Sequence, residues 1–437
     1  MTTLVDSRPA MQPEAARTRC SSADARVALL GLGRIGSAVA GLLAREPLAG
    51  RSAARITGAL VRRVRSSSAY GAFPVCTEPA ELLDTAPDVL IEVLGGLEPA
   101  RTLVLEALRR GIPVVTANKS LLAVHGDELF AAARRFETPL RCEAAVLAGV
   151  PFLGTFGNRP LASAVDRITG IFNGTSNFVL SRIEDGLAAA DALADARRRG
   201  FAEPDASKDM DGSDSAEKLA ILIRHFARLS VHPADIPRTS VSGIGPAELA
   251  RARELGGRLK PVAFAEWSDN VVTCFTGPAF LIEDDPLAGL RGVLNGVRLE
   301  RDGSLPLHFT GPGAGPEVTA RTILDDVVEV LADLRVPALG GEPRARVSSP
   351  SALGWYVTLH SGVLVDPVDV ADLLGSYGIW VRRWGAAHRD SGSTARSLLT
   401  FPCSLAELES ALRAYAAASG CATLAYPIVE PAVIDND

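Results

Sequence analysis

The chain has 437 residues, 47% hydrophobic and 22% charged, with a formal net charge of −6, the profile of an ordinary globular protein of two or three domains. Its acidic balance offers no basic stripe or arm for nucleic acid, and no charge-free apolar run of about 18 residues is present to span a membrane. The six cysteines (Cys20, Cys76, Cys142, Cys274, Cys403, Cys421) are dispersed without a C-x-x-C, which argues against zinc and fits reduced thiols in a cytoplasm.

Residues 1–24 mix Arg, Asp, Glu, Ser and Pro without an apolar stretch and read as a flexible tail, not a secretory signal. Residues 26–45 pass from a short apolar run through Gly31-Leu-Gly33-Arg34-Ile35-Gly36 into an apolar helical pattern. That is the strand–turn–helix context a dinucleotide fingerprint needs. Gly31 permits the tight turn, Gly33 lets the backbone approach a pyrophosphate, and Gly36 lets the helix pack on the strand, with the helix N-terminus facing the anion. The next strand, from Arg55, ends at Arg62 and Arg63, where an NAD site usually places an acid for the ribose 2′-hydroxyl. Arg62 or Arg63, helped by Arg34, suits a 2′-phosphate, so NADP is favoured and NAD remains possible; the bland alternative is a solvated loop end. A buried strand at Pro87–Val93 runs into Gly95-Gly96, and another at Ile112–Thr116 delivers Asn118 and Lys119. Ligands of open α/β sheets bind beyond such carboxyl ends.

Arg141 to Pro151 reads as a strand entering a glycine–proline turn. Its free carbonyls meet either a monovalent cation or water, and spacing alone favours water. Gly170–Asn177 reads as strand, Asn173-Gly174 turn and helix start, with polar groups able to bind a carboxylate or amide. The densest polar run, Gly200 to Lys218, gathers Glu203, Asp205, Asp209, Asp211 and Asp214 between apolar helices. A helix starting at Ser213 or Asp214 places Asp214 and Lys218 at i and i+4 on one face. A solvated ion pair is the plain interpretation. The sharper one is a site for an ammonium-bearing, amino-acid-like substrate, with Glu203 or Asp214 on its ammonium or hydroxyl.

Only four of the 45 basic residues are lysines: Lys119, Lys208, Lys218 and Lys260. Lysine kept where arginine is the rule suits proton transfer, because an ammonium can be tuned toward neutrality and a guanidinium cannot; chance retention is the alternative. Residues 305–335 read as a strand, a second glycine loop at Gly311–Gly315 and an amphipathic helix that can return to complete the cofactor site. Residues 353–430 alternate as strand (355–359), helix (367–377), strand (379–382), strand (397–401), helix (405–418) and strand (422–428), a βαββαβ order.

Gly31–Gly36, Glu92 with Gly95-Gly96, Thr116-Ala-Asn-Lys119, Glu143 to Pro151, Asn173-Gly-Thr, Gly200 to Lys218 and Gly311–Gly315 together resemble homoserine dehydrogenase over residues 26–335. The resemblance implies interconversion of L-homoserine and L-aspartate 4-semialdehyde with NAD(P)(H), in threonine and methionine biosynthesis, by a homodimer or higher homo-oligomer. It makes Lys218 the proton-transfer lysine, Lys119 the lysine at nicotinamide and substrate, and Glu203 and Asp214 homoserine ligands. Gly200 and Gly315 become later cofactor contacts. Glu143, Val146, Ala148 and Val150 match a site for a monovalent cation such as sodium, against the water reading.

The fold implied is α/β. It comprises a Rossmann-type doubly wound domain (25–142, completed by about 310–340), an α+β catalytic and dimerisation domain (143–309), and a C-terminal ACT-like domain (350–432). In that last domain His360-Ser361-Gly362-Val363 stands where an Asp-x-Pro-Gly turn is usual, which speaks against threonine control. Two other readings are a paralogue acting on a modified aspartate-semialdehyde-like substrate and a non-catalytic nucleotide or amino-acid sensor. Retention of both motif lysines argues against the sensor.

Overall fold

The computed structural model describes residues 24–48, 54–64, 73–158, 161–301, 304–313, 315–332, 339–350, 352–362, 364–390, 393–420 and 422–431; the N-terminal tail, apart from Asp24, lies outside them. The first sheet arises from alternating strands and helices: β1 (Ala25–Leu30), α1 (Arg34–Leu43), β2 (Ala54–Leu60), β3 (Val75–Cys76), α2 (Pro79–Leu83), β4 (Val89–Glu92), α3 (Ala100–Arg109), β5 (Val114–Thr116), α4 (Lys119–Arg135) and β6 (Leu140–Arg141). All pairings are parallel, in the order β3-β2-β1-β4-β5-β6. β4 is buried throughout, as a strand covered on both faces of a parallel sheet must be. The order reverses between β1 and β4, and such a switch point opens a ligand crevice at the strand ends.

The chain continues with α5 (Glu143–Val146), α6 (Leu153–Asn158), β7 (Arg167–Ile171), α7 (Gly174–Glu184), α8 (Ala189–Arg198), α9 (Ser207–Met210), α10 (Ser213–Ala227) and α11 (Pro246–Glu254). Then come β8 (Gly257–Ser268), β9 (Val271–Ile282), β10 (Leu294–Arg301), β11 (Ser304–Pro312), α12 (Pro316–Leu331) and β12 (Arg346–Ser348). The second sheet runs β11-β10-β7-β8-β9-β12, antiparallel except for β9–β12. Leu219 and Ile223 of α10 share one core with Ala263 of β8 and Val272 and Cys274 of β9. Helix α12 turns back: its Ala320, Ile323 and Val327 join Val39 and Leu42 of α1.

A third, antiparallel sheet has the order β14-β15-β13-β16. It is formed by β13 (Trp355–Ser361), β14 (Val381–Asp390), β15 (Ser393–Thr400) and β16 (Ala422–Pro427), with α13 (Pro367–Ser376) and α14 (Leu405–Ser419) between them. Both helices share a core with this sheet. From it, Tyr356, Leu399 and Tyr426 also join Leu249, Ala252 and Leu255 of the α11 segment.

Two local expectations need correction. The strand expected from Arg141 ends at that residue, and Glu143–Val146 forms a helical turn. The reason is capping: the Glu143 N–H donates to Asp326 Oδ2 at 2.9 Å, and its carboxylate caps the next helix. The β14–β15 hairpin is longer than apolar alternation indicated, because register shifts after Val381 and after Trp384 carry polar residues through the pairing.

Candidate active site

The first glycine turn is shaped by close backbone approach. Gly31 has φ +106°, and a Cβ at Gly36 would lie 2.2 Å from the Gly31 carbonyl oxygen. Gly33 is different: a Cβ there would meet nothing within 4 Å. The turn is therefore closed on the sheet side and open where α1 begins. Helix α1 has no acid in its first turn, Arg34 is exposed there and Ile35 is half-buried. Arg62 and Arg63 are exposed just beyond β2. Open backbone N–H groups, a helix N-terminus and nearby guanidiniums fit the phosphates of a dinucleotide.

Across the crevice, the ends of β4 and β5 are stitched by Glu92. Its fully buried carboxylate accepts from the Thr116 hydroxyl at 2.5 Å, the Leu94 N–H at 2.8 Å and the Asn118 amide at 3.4 Å. Burial nevertheless raises its pKa, against these bonds. Asn118 caps α4 by accepting from the Leu121 N–H at 3.1 Å, and its amide donates to the Gly96 carbonyl at 2.7 Å. Lys119 is thus the first residue of a firmly anchored helix.

Lys119 meets Lys218 at one buried carboxylate. Asp214 Oδ2 is 3.0 Å from Lys218 Nζ and Asp214 Oδ1 is 3.2 Å from Lys119 Nζ. Burial works against the Asp214 charge, yet Lys218 and Lys119 hold its carboxyl well below the usual range. Reciprocally, Asp214 raises Lys119 above an ordinary lysine, against burial. Lys218 also donates to the Phe172 carbonyl at 2.6 Å. Asn173 caps α7 through the Ser176 N–H at 2.8 Å, while its amide donates to Asp209 at 2.7 Å and to Asp214 at 2.9 Å. Burial raises the Asp209 carboxyl despite the Asn173 bond.

The i, i+4 spacing on α10 brought Asp214 and Lys218 together as expected, and Lys119 joins them from the first sheet. Glu203 does not join: it is exposed, with no ion pair or hydrogen bond to this cluster among the described residues. Gly200 ends α8 with φ +75°, and Gly315, at φ +130°, caps α12. Sequence reasoning missed how Asn173 and Asp209 serve the cluster. An acid five residues before Asp214 in the same run was the available signal.

Glu143, Val146, Ala148 and Val150 are all buried. The turn they occupy is fixed through its N–H groups, Val150 to the Leu147 carbonyl at 3.0 Å and Gly149 to the Thr322 hydroxyl at 3.1 Å. The Glu143 carboxylate is committed to the N–H groups of Phe152, Leu153 and Gly154 and is pushed up to about 7 by burial. Backbone carbonyls are the donor set this leaves for a cation, a set that suits monovalent ions. Among the described residues no group of three His, Cys, Asp or Glu side chains could hold a metal ion, and no helix is long and apolar enough to cross a membrane.

The family model described as homoserine dehydrogenase matches residues 151–328, and that described as homoserine dehydrogenase, NAD binding domain, matches residues 31–143. A homoserine dehydrogenase of Pseudomonas aeruginosa is 33% identical over 379 residues, which is 81% of this chain and 86% of that one. The chain belongs to the homoserine dehydrogenase family. Its fold agrees: the homoserine dehydrogenase structure from Thiobacillus denitrificans superposes with a TM-score of 0.83 at 30% identity, over 93% of this chain and 99% of the other. A hyperthermophilic archaeal homoserine dehydrogenase in complex with NADPH is similar with a TM-score of 0.61 at 25% identity, over 72% of this chain and 99% of that chain. As a member of that family the chain is an oxidoreductase with a nucleotide-binding α/β domain and a small-molecule substrate.

Proposed function

We propose that this family member interconverts L-homoserine and L-aspartate 4-semialdehyde with NADP preferred over NAD, and that Lys218 moves the proton. The observation that carries the reading is Asp214 held between two ammoniums, Lys119 at the start of α4 beside the first sheet and Lys218 on α10. A nicotinamide nucleotide held at the glycine loops would supply the hydride acceptor for oxidation at C4 of the alcohol and the hydride donor for reduction of the aldehyde. Lys218 takes the proton from the C4 oxygen during oxidation and supplies it during reduction. Lys119 adds a second positive charge where the oxygen becomes negative. Asp214 and Glu203 bind the substrate ammonium or hydroxyl.

Arg62, Arg63 and Arg34 support the NADP preference by their charge at the ribose end. Gly31, Gly33, Ile35, Gly36, Gly200 and Gly315 give close backbone approach to the nucleotide. The carbonyls of Glu143, Val146, Ala148 and Val150 hold a monovalent cation such as sodium. We further propose the division into 25–142 with about 310–340, 143–309 and 350–432, the last ACT-like. The segment His360-Ser361-Gly362, where β13 ends, departs from the usual ligand turn, and Val363 lies outside the described residues. A homo-oligomer in the cytoplasm completes the proposal.

The test is absorbance at 340 nm with L-homoserine and NADP⁺ or NAD⁺, with and without L-threonine. Faster turnover with NADP⁺ that ignores threonine is the expected result. NADPH binding without turnover of homoserine would favour the modified-substrate paralogue or the sensor, and threonine inhibition would refute the reading of the His360–Gly362 segment.

A further inference from the structure

Asn295 lies in β10, 123 residues from Phe172 in sequence, and its side chain is fully buried. Its Nδ2 donates at 3.1 Å to the Phe172 carbonyl, the same oxygen that receives Lys218 Nζ at 2.6 Å. A carbonyl only accepts, so this contact fixes which end of the Asn295 amide faces Phe172. The other end, Oδ1, is buried with no hydrogen-bond partner. An orphaned acceptor of this kind costs a protein stability and is uncommon enough to need a reason.

The reason suggested by its neighbours is the cofactor. The Asn295 amide lies against the second glycine loop, where a Cβ at Gly313 would sit 2.3 Å from both its Cγ and its Oδ1. Gly313 is in turn tied to the same strand region by its N–H, which donates to the Val293 carbonyl at 2.9 Å. One amide therefore touches the carbonyl that carries Lys218 and the loop leading to the N-terminus of α12. The unpaired group is an acceptor, so its missing partner is a donor. The nicotinamide head group carries such a donor, its carboxamide NH₂.

We propose that Asn295 is a positioning residue that recognises the nicotinamide carboxamide through Oδ1 while Nδ2 holds the carbonyl on which Lys218 rests. Head-group recognition and placement of the proton-transfer lysine then share one side chain. This rests on the reading of Lys218 and the glycine loops given above.

The test compares NADP⁺ with its 3-acetylpyridine analogue, which replaces the carboxamide NH₂ by a methyl group and so lacks the donor. Dissociation constants are measured calorimetrically without substrate, for the wild type and for Asn295→Leu, whose side chain is close in shape but apolar. The wild type should bind NADP⁺ about tenfold more tightly than the analogue, a difference of about 1.4 kcal/mol. In Asn295→Leu the preference should vanish, with the melting temperature of the free protein held or raised because the orphaned acceptor is gone. A preference that survives the substitution, or that is absent from the wild type, overturns the inference. So does a lowered melting temperature with an unchanged preference, the signature of a purely structural amide. Asn295→Ala gives the same comparison if leucine fails to pack. If the wild type binds both nucleotides yet does not oxidise L-homoserine, the reading of the reaction fails while the carboxamide comparison still decides the role of Asn295.

Discussion

Asp214→Asn is the most informative single change at the lysine cluster. At 3.0 Å and an effective dielectric of about 20, one ammonium–carboxylate attraction is roughly 5 kcal/mol before desolvation is counted. Breaking a buried pair by removing one partner costs about 3–5 kcal/mol. The Lys218 pair belongs in that class, with side chains 12% and 8% exposed. The Lys119 pair adds less, because that lysine is 37% exposed and solvent screens it to about 1 kcal/mol or below. A loss of stability of about 4 kcal/mol follows, read by urea denaturation. If the same carboxylate also holds the substrate, losing about 3 kcal/mol of binding to the transition state lowers kcat/KM about 10²-fold. The variant should also move the alkaline limb of the pH–rate profile downward, since Asp214 is the leading cause of the raised Lys119 pKa. A variant within threefold of the wild type in kcat/KM, with an unmoved pH profile, would refute the reasoning.

Gly36→Ala places a methyl 2.2 Å from the Gly31 carbonyl oxygen, so α1 must shift off the sheet; NADPH affinity, followed by nucleotide fluorescence, should weaken tenfold or more. Lys260 is the motif-free lysine: its side chain is 2% exposed, donates to the Leu290 carbonyl at 2.6 Å, and is lowered by burial to about 8. Between about pH 8 and 10.5 the folded protein then holds fewer protons than the unfolded chain, so stability should rise with pH across that window. Below pH 8 the full penalty applies, on the order of 3 kcal/mol, and Lys260→Met should flatten the rise when chemical denaturation is compared at pH 7.5 and pH 10.

The parts legible in the sequence were those with short-range spacing. G-x-G-x-x-G between a strand and a helix fixed the first turn, and Asp214-x-x-x-Lys218 fixed one face of α10. The arrival of Lys119 at Asp214 crosses 95 positions, and only the placement of Lys119 at a strand's carboxyl end hinted at it. The helical turn at Glu143 was hidden because its cause is Asp326, far along the chain on α12. Asn295 had no signal at all, being a lone asparagine in a strand, and its side-chain neighbours, Phe172 and Gly313, lie far from it in sequence or just past the end of β11. Glu203 shows the converse: motif position alone did not bring its side chain to the cluster.

The central claim is that Lys218 moves the proton. Lys218→Met should be measured for NADPH binding by fluorescence and for homoserine oxidation at 340 nm on the same preparation. The account predicts an NADPH dissociation constant within about threefold of the wild type and a kcat lowered about 10²-fold or more. Undiminished turnover in protein that lacks Lys218 would contradict it.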